Sequence, residues 1–147
     1  EYLDQELVEV EFVVGHCLLV KTQMLMAVGL LREFFIYWEE AEWQWRAKLN
    51  GWRSYVVPGS IAYHDRNSFQ KPFNLFLRTR NYLFYNRLIL KKNQSFLPYF
   101  IRNIFLIVKD FVSSLFRGFY TTGYVKFFIK GLFSGFFAKI PKYPRLS

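Results

Sequence analysis

Cysteine is nearly absent. Cys17 is the only one in 147 residues, which excludes an internal disulfide framework and a multi-cysteine zinc site. Long uncharged runs are also missing: no stretch approaching the ~20 residues of a bilayer-spanning helix is free of Asp, Glu, Lys and Arg. No secretory signal is read at the start, and an opening Glu rather than Met gives the expectation of a piece of something longer. Acids nearly vanish after residue 65. Residues 66–147 hold fifteen bases against Asp110 alone, a net of +14, whereas residues 1–65 hold ten acids and five bases, a net of −5. The two sum to the overall +9. Such a division concerns partners more than fold. The basic part suits an anionic bilayer, phosphorylated ligands or nucleic acid, and the acidic part can supply catalytic carboxylates. What abounds is aromatic: 18 Phe, 10 Tyr and 4 Trp, 22% of the chain, within an apolar share of 52% that is enough to bury a core.

The patterning is that of an α/β protein. Val8, Val10 and Phe12 alternate with Glu9 and Glu11, then run into an apolar stretch to Val20, a pattern that predicts a strand over 8–20 with Gly15 as a break or close-approach point. Thr22 to Val28 reads as a short helix closed by Gly29, and Phe34 to Trp38 as a buried aromatic stretch. Glu39 to Leu49 reads as a helix stopped by Asn50-Gly51. Strands are expected over 52–57 and 60–63, with Pro58-Gly59 as the turn between them. Residues 69–92 read as a longer helix carrying Arg78, Arg80, Arg87, Lys91 and Lys92. Alternating strand, helix and strand point to an α/β layer.

Two amphipathic helices are expected beyond Pro98. In 99–117 the apolar Phe100, Ile101, Ile104, Val108, Phe111 and Leu115 recur at helical spacing, opposite Arg102, Lys109, Ser113 and Arg117. In 119–138 a stripe of Lys126, Lys130 and Ser134 runs at i, i+4 along a Phe-rich helix. Basic polar faces beside wide aromatic faces fit helices lying in a membrane interface; a pair of core helices in a soluble bundle is the alternative. Nucleic acid is not expected as a partner, because the bases alternate with Phe and form no exposed patch.

Few residues stand out as carriers of chemistry. Glu39, Glu40 and Glu42 crowd a helix start, where acids are also favoured simply by the helix dipole. Glu42 and Arg46 are spaced as an i, i+4 ion pair. His64 ends the expected strand before a polar loop, Asp65 to Ser68, as a ligand or as a structural histidine. Cys17 is expected to be inert inside its strand, and Arg80-Asn81 to be a solvated helix face.

Three blocks stand in one order at close spacing. They are Val14-Gly15-His16-Cys17-Leu18-Leu19-Val20 with Val28-Gly29; Phe34-Phe35-Ile36-Tyr37-Trp38-Glu39-Glu40-Ala41-Glu42 with Arg46 and Gly51; and Tyr55-Val56-Val57-Pro58 with His64. Together they resemble the C-terminal half of an inverting family 2 glycosyltransferase with the GT-A (nucleotide-diphospho-sugar transferase) fold, most like the rhamnosyltransferase-type enzymes of bacterial surface polysaccharide synthesis. The resemblance covers residues 8–68, with a weaker extension through Arg80-Asn81 to residue 95. It also touches the tail at Phe128-Ile129-Lys130-Gly131 and Gly135.

The resemblance implies roles position by position. Glu40 matches the general base that takes the acceptor's proton, and Glu39 matches the acid that shapes the acceptor site. Gly15 matches a close approach of backbone to the sugar pocket, and Tyr37, Trp38 and Trp43 are candidate stacking surfaces for an acceptor sugar, Trp38 foremost, with a place in the core as the alternative. Glu42 with Arg46 matches structural support, and His64 matches a helper ligand for a divalent metal, Mg2+ or Mn2+, under the diphosphate. Arg78 and Arg80 are placed as contacts to a diphosphate or lipid. Two positions depart from the family pattern: Glu stands at 40 where Asp is usual, and His16 stands where Ala is usual.

No D-x-D and no Gly-rich phosphate motif occurs in the chain. The expected organisation is therefore a partial GT-A fold over 1–68 without its N-terminal nucleotide-binding half, a basic connecting helix over 69–95, and membrane-associating helices over 96–147. The metal is expected only with that half supplied, from a longer or a separate chain. The implied partners are a nucleotide sugar (rhamnose or another hexose), a lipid-linked saccharide acceptor and an anionic membrane surface, with a peripheral location on the cytoplasmic face of a bacterial plasma membrane. The chain alone is expected to be inactive. The alternative is a non-enzymatic membrane-surface protein or remnant.

Overall fold

A computed structural model describes residues 7–64, 72–90, 101, 104–109, 111–113 and 122–142. The loop 65–68, Lys91, Lys92, Phe100, Arg102, Asp110, Leu115 and Arg117 lie outside the described residues. The chain is a small mixed α/β protein, mostly helical with a two-stranded sheet, and it divides into two compact units. Unit 1 comprises Glu1–Ser68 and Pro141–Ser147, and unit 2 comprises Phe69–Ile140.

In unit 1, β1 (Val8–Val10) pairs antiparallel with β2 (Ser54–Val56), with Val8 opposite Val56 and Val10 opposite Ser54. The strand expected over 8–20 stops after Val10. Farther along, the Val13 N–H donates to Gln44 Oε1 at 2.8 Å, and Gln44 Nε2 returns a bond to the Val13 carbonyl at 2.7 Å. A side-chain amide has taken the place of a neighbouring strand, so the backbone is satisfied without a ladder. Cys17, expected inside that strand, is exposed. The second expected strand, over 60–63, is unpaired coil with Ile61 and Tyr63 exposed.

Helix α1 (Thr22–Val28) ends at Gly29, whose φ of 77° suits a residue without a Cβ and whose N–H donates to the Leu25 carbonyl at 2.8 Å. It packs on α2 (Glu39–Leu49) through Met24, Val28, Trp43 and Ala47, flanked by Leu18, Val20, Leu25 and Trp52. Trp43 Nε1 donates to the Gly29 carbonyl at 2.8 Å, so the indole is packed and polar-satisfied at once.

Unit 2 is built on α3 (Pro72–Leu90) and α4 (Thr122–Phe137). Residues 104–109 and 111–113 are also helical. Leu75, Leu83, Ile107, Tyr124 and Phe128 form its core, and the Phe111 ring stacks on Phe128 with centroids 4.1 Å apart. Among the described residues no helix is long and apolar enough to cross a membrane.

The contact between α3 and α4 depends on two glycines one turn apart. A Cβ at Gly131 would lie 2.9 Å from the Phe76 carbonyl oxygen, and one at Gly135 would lie 2.7 Å from Leu83 Cβ. This is the small-residue device that lets two helix backbones approach closely. In an open helix, Gly→Ala adds about 1 kcal/mol of stability. Here Gly131→Ala is expected to cost about 1–3 kcal/mol, because the atom it meets is backbone and the helices must separate. Urea unfolding followed by circular dichroism reads the sign, and a stabilised Gly131→Ala would contradict the close approach.

Arg80-Asn81 is not the solvated face expected from its sequence. Asn81 is fully buried, and the Arg80 guanidinium lies over the Phe76 and Phe84 rings at 5.1 and 5.5 Å while its Nε donates to Asn81 Oδ1. Burial lowers the Arg80 pKa from its ordinary value, and the ring faces offer partial compensation. Arg87 Nη1 donates to the carbonyls of Gly135 and Ala138 at 2.9 and 2.8 Å, satisfying the end of α4.

Candidate functional site

The segment before α2 reads in sequence as a buried aromatic run, yet in the structure only Phe34 of it is buried. Phe35 is 81% exposed. The backbone explains the difference: Phe35, Tyr37 and Trp38 all have positive φ, at 79°, 70° and 72°. Left-handed backbone costs an L-residue with a Cβ roughly 1–2 kcal/mol. Three such residues in four form an outlier that the surroundings must impose. Phe34 is anchored in the interior at one side, and Trp38 forms the N-cap of α2 at the other. An N-cap usually has extended backbone and a capping side chain; Trp38 has neither.

This turn delivers Glu39 and Glu40 as the first residues of α2. Gly15 meets Glu40 directly: a Cβ at Gly15 would lie 3.3 Å from Glu40 Cγ and 3.6 Å from its Cδ. The next residue, His16, stacks its ring on His64 with centroids 4.1 Å apart and planes inclined by 28°. Gly15, Glu40, His16 and His64 thus form one connected surface, with Glu39 and Trp38 beside Glu40 in the chain. His16 as the partner of His64 was not foreseen from sequence; its departure from the family's alanine was the only sign. Arg78 and Arg80 belong to the other unit.

Glu39 is half-buried, and its Oε2 is enclosed with no hydrogen-bond partner among the described residues. Burial raises its pKa above the ordinary value of 4.5, a hydrogen bond to its own backbone opposes this, and the neighbouring Glu40 charge adds to the rise. Between 4.5 and the raised value, the native state binds more protons than the unfolded chain. Stability from this group is therefore complete below 4.5 and lost as pH rises through the folded value. Glu39→Gln cannot ionise. It is expected to raise Tm at neutral pH, with the gain shrinking as pH falls through the raised value and gone below 4.5. A gain of equal size at both pH values would contradict this.

Glu42 points the other way, into the protein, and is fully buried. Arg46 Nε donates to both its oxygens at 2.8 and 3.0 Å, and Arg32 Nε donates to Oε1 at 2.8 Å. Arg46 also donates to the carbonyls of Val28 and Leu30, and Arg32 Nη1 to the carbonyl of Pro141 at 2.8 Å. The expected Glu42–Arg46 pair is therefore present, and Arg32 is a second arginine that no helical spacing could announce. Among the described residues, no group of three or more His, Cys, Asp and Glu is arranged to hold a metal ion. Among the described residues His64 has an imidazole neighbour and no carboxylate set beside it, so these described residues by themselves do not make up the oxygen-rich shell of the divalent metal implied for His64; Asp65, next in the chain, lies outside them.

Comparison with protein-family models, with curated proteins and with solved structures finds no match to this chain.

Proposed function

We propose that unit 1 is the acceptor-side half of a GT-A glycosyltransferase, with Glu40 as the general base of an inverting sugar transfer. The observation that carries this reading is the left-handed turn at Phe35, Tyr37 and Trp38, which sets a paired acid against Gly15. Strained backbone beside a carboxylate pair is typical of a built site, and the same residues carry the family resemblance.

In this reading a hydroxyl of a saccharide acceptor lies at the Glu40 carboxylate. Glu40 takes its proton as the oxygen attacks the anomeric carbon of a nucleotide sugar. The bond from that carbon to the diphosphate breaks, the diphosphate leaves with the electron pair, and attack from the opposite face inverts the configuration. Glu39 lines the acceptor side and Trp38 offers a ring for stacking. The donor is a nucleotide sugar carrying rhamnose or another hexose, held by a nucleotide-binding half. The acceptor is a lipid-linked saccharide of cell-surface polysaccharide synthesis. The test is turnover of nucleotide sugars by this chain joined to such a half, in the parent and in Glu40→Gln. Loss of turnover with an unchanged fold supports the reading, and unchanged turnover refutes the assignment of the base.

A further inference from the structure

Helix α4 has two faces. Tyr124, Phe128, Gly131 and Gly135 turn toward α3 and are buried. The face turned away carries Val125, Ile129, Phe133 and Phe137 at successive four-residue steps, all exposed, with Phe133 at 66% and Phe137 at 74%. The Phe133 and Phe137 rings touch, with centroids 4.8 Å apart. Among the described side chains of α4, the exposed polar ones are two lysines, Lys126 and Lys130, which lie along one margin of this stripe. Elsewhere in the unit, Phe105, Leu106 and Val108 are exposed with Lys109. A helix facing water puts its polar residues outward; this one puts its aromatic residues outward.

We propose that the outward face of α4 docks on an anionic lipid bilayer, with Val125, Ile129, Phe133 and Phe137 in the acyl boundary and Lys126 and Lys130 reaching back to the headgroups.

Three observations select this occupant. At 16 residues, α4 is about 24 Å long, short of the ~30 Å hydrocarbon core, so it fits lying in the interface and not across it. The stripe is flanked by positive charge alone, within residues 66–147 that hold fifteen bases and one acid. Long lysine side chains can lay their methylenes along apolar surface and keep the ammonium at headgroup level. A second copy of the chain fits poorly, because pairing the stripe with itself brings Lys126 and Lys130 against their own kind with no acid on α4 to neutralise them. The inference does not rest on Glu40 being a base.

The test is flotation of the full chain with vesicles of phosphatidylglycerol and phosphatidylcholine, and with phosphatidylcholine alone. The parent is expected to float with the anionic vesicles and to be released by salt. Each base near an anionic surface contributes about fivefold in partition, so Lys126→Gln with Lys130→Gln is expected to lower binding by at least about tenfold. Phe133→Asp with Phe137→Asp, both on the exposed face, is expected to abolish it with an unchanged circular dichroism spectrum. A parent that stays with the free protein overturns the proposal. So does an aspartate variant that floats as well as the parent, or equal binding to the neutral vesicles. Sedimentation without lipid provides the remaining check: a dimer in the parent that the aspartate variant dissolves, with no flotation, would give the face to a second copy instead.

Discussion

Glu42→Ala is expected to remove about 3–5 kcal/mol of folding stability, the cost of leaving a buried ion pair with one side missing. The carboxylate is wholly inside the protein, and its two arginine partners keep only 13% and 10% of their side-chain surface exposed. Deleting it removes the carboxylate that both guanidinium groups share. Both are tethered by backbone acceptors, at Val28, Leu30 and Pro141, so neither can simply swing into water. The loss is large against the roughly 5–15 kcal/mol that a domain possesses, and the variant is expected to unfold at a clearly lower urea concentration. Glu42→Gln keeps the shape and drops the charge, and should fall nearly as far. Urea unfolding followed by tryptophan fluorescence gives the number, since all four tryptophans lie in unit 1 and Trp43 is buried in the α1–α2 core. A loss under about 1 kcal/mol would mean that water reaches the cluster.

Glu40→Gln is expected to lower turnover by about 10²–10⁴-fold once a nucleotide-binding half is present, the usual share of a positioned general base. The amide can still accept a hydrogen bond from the acceptor hydroxyl, but it cannot take the proton. Binding of the acceptor should therefore change little while kcat falls. The fold should be indifferent, since Glu40 is only half-buried and its near neighbour among the described residues is Gly15. Glu40→Asp is the sharper probe. It keeps a base and restores the residue usual in the resembled family, yet withdraws the carboxylate by about one methylene from a position that Gly15 here is packed against. Turnover between that of the parent and that of Glu40→Gln is expected. Turnover of Glu40→Gln within about threefold of the parent would show that another group accepts the proton.

What could be read from the chain beforehand was whatever local chemistry dictates. Gly29 marks the end of α1 because a residue at positive φ is needed there, and glycine supplies it. The start of α2 is marked by acids and its end by Asn50-Gly51, and Glu42 with Arg46 lies one turn apart. The failures include interactions between distant residues and local arrangements that propensity does not announce. The strand beyond Val10 was lost to an amide 31 residues away at Gln44. Arg32 reached Glu42 from outside any helix, and Arg80 was covered by aromatic rings on its own helix face. The turn at Phe35, Tyr37 and Trp38 had no sequence signal at all, since bulky aromatic residues are among the last expected at positive φ. The candidate site was therefore legible in its acids and in Gly15, and hidden in the backbone that presents them and in the stacking of His16 on His64.

The hydrogen bond from Arg32 to the Pro141 carbonyl spans 109 residues, and it belongs to unit 1. The ribosome works in one direction, so Glu42 and both its arginines emerge long before Pro141 exists. At about 5–20 residues per second, Arg32 waits roughly 5–20 s for that partner while unit 2 is being made. During that interval the Arg32 guanidinium can reach Glu42 but not the Pro141 carbonyl. That one contact is timed by the completion of unit 2. A ribosome stalled inside α4 would leave behind a chain whose first unit looks finished in sequence and is not yet finished in structure.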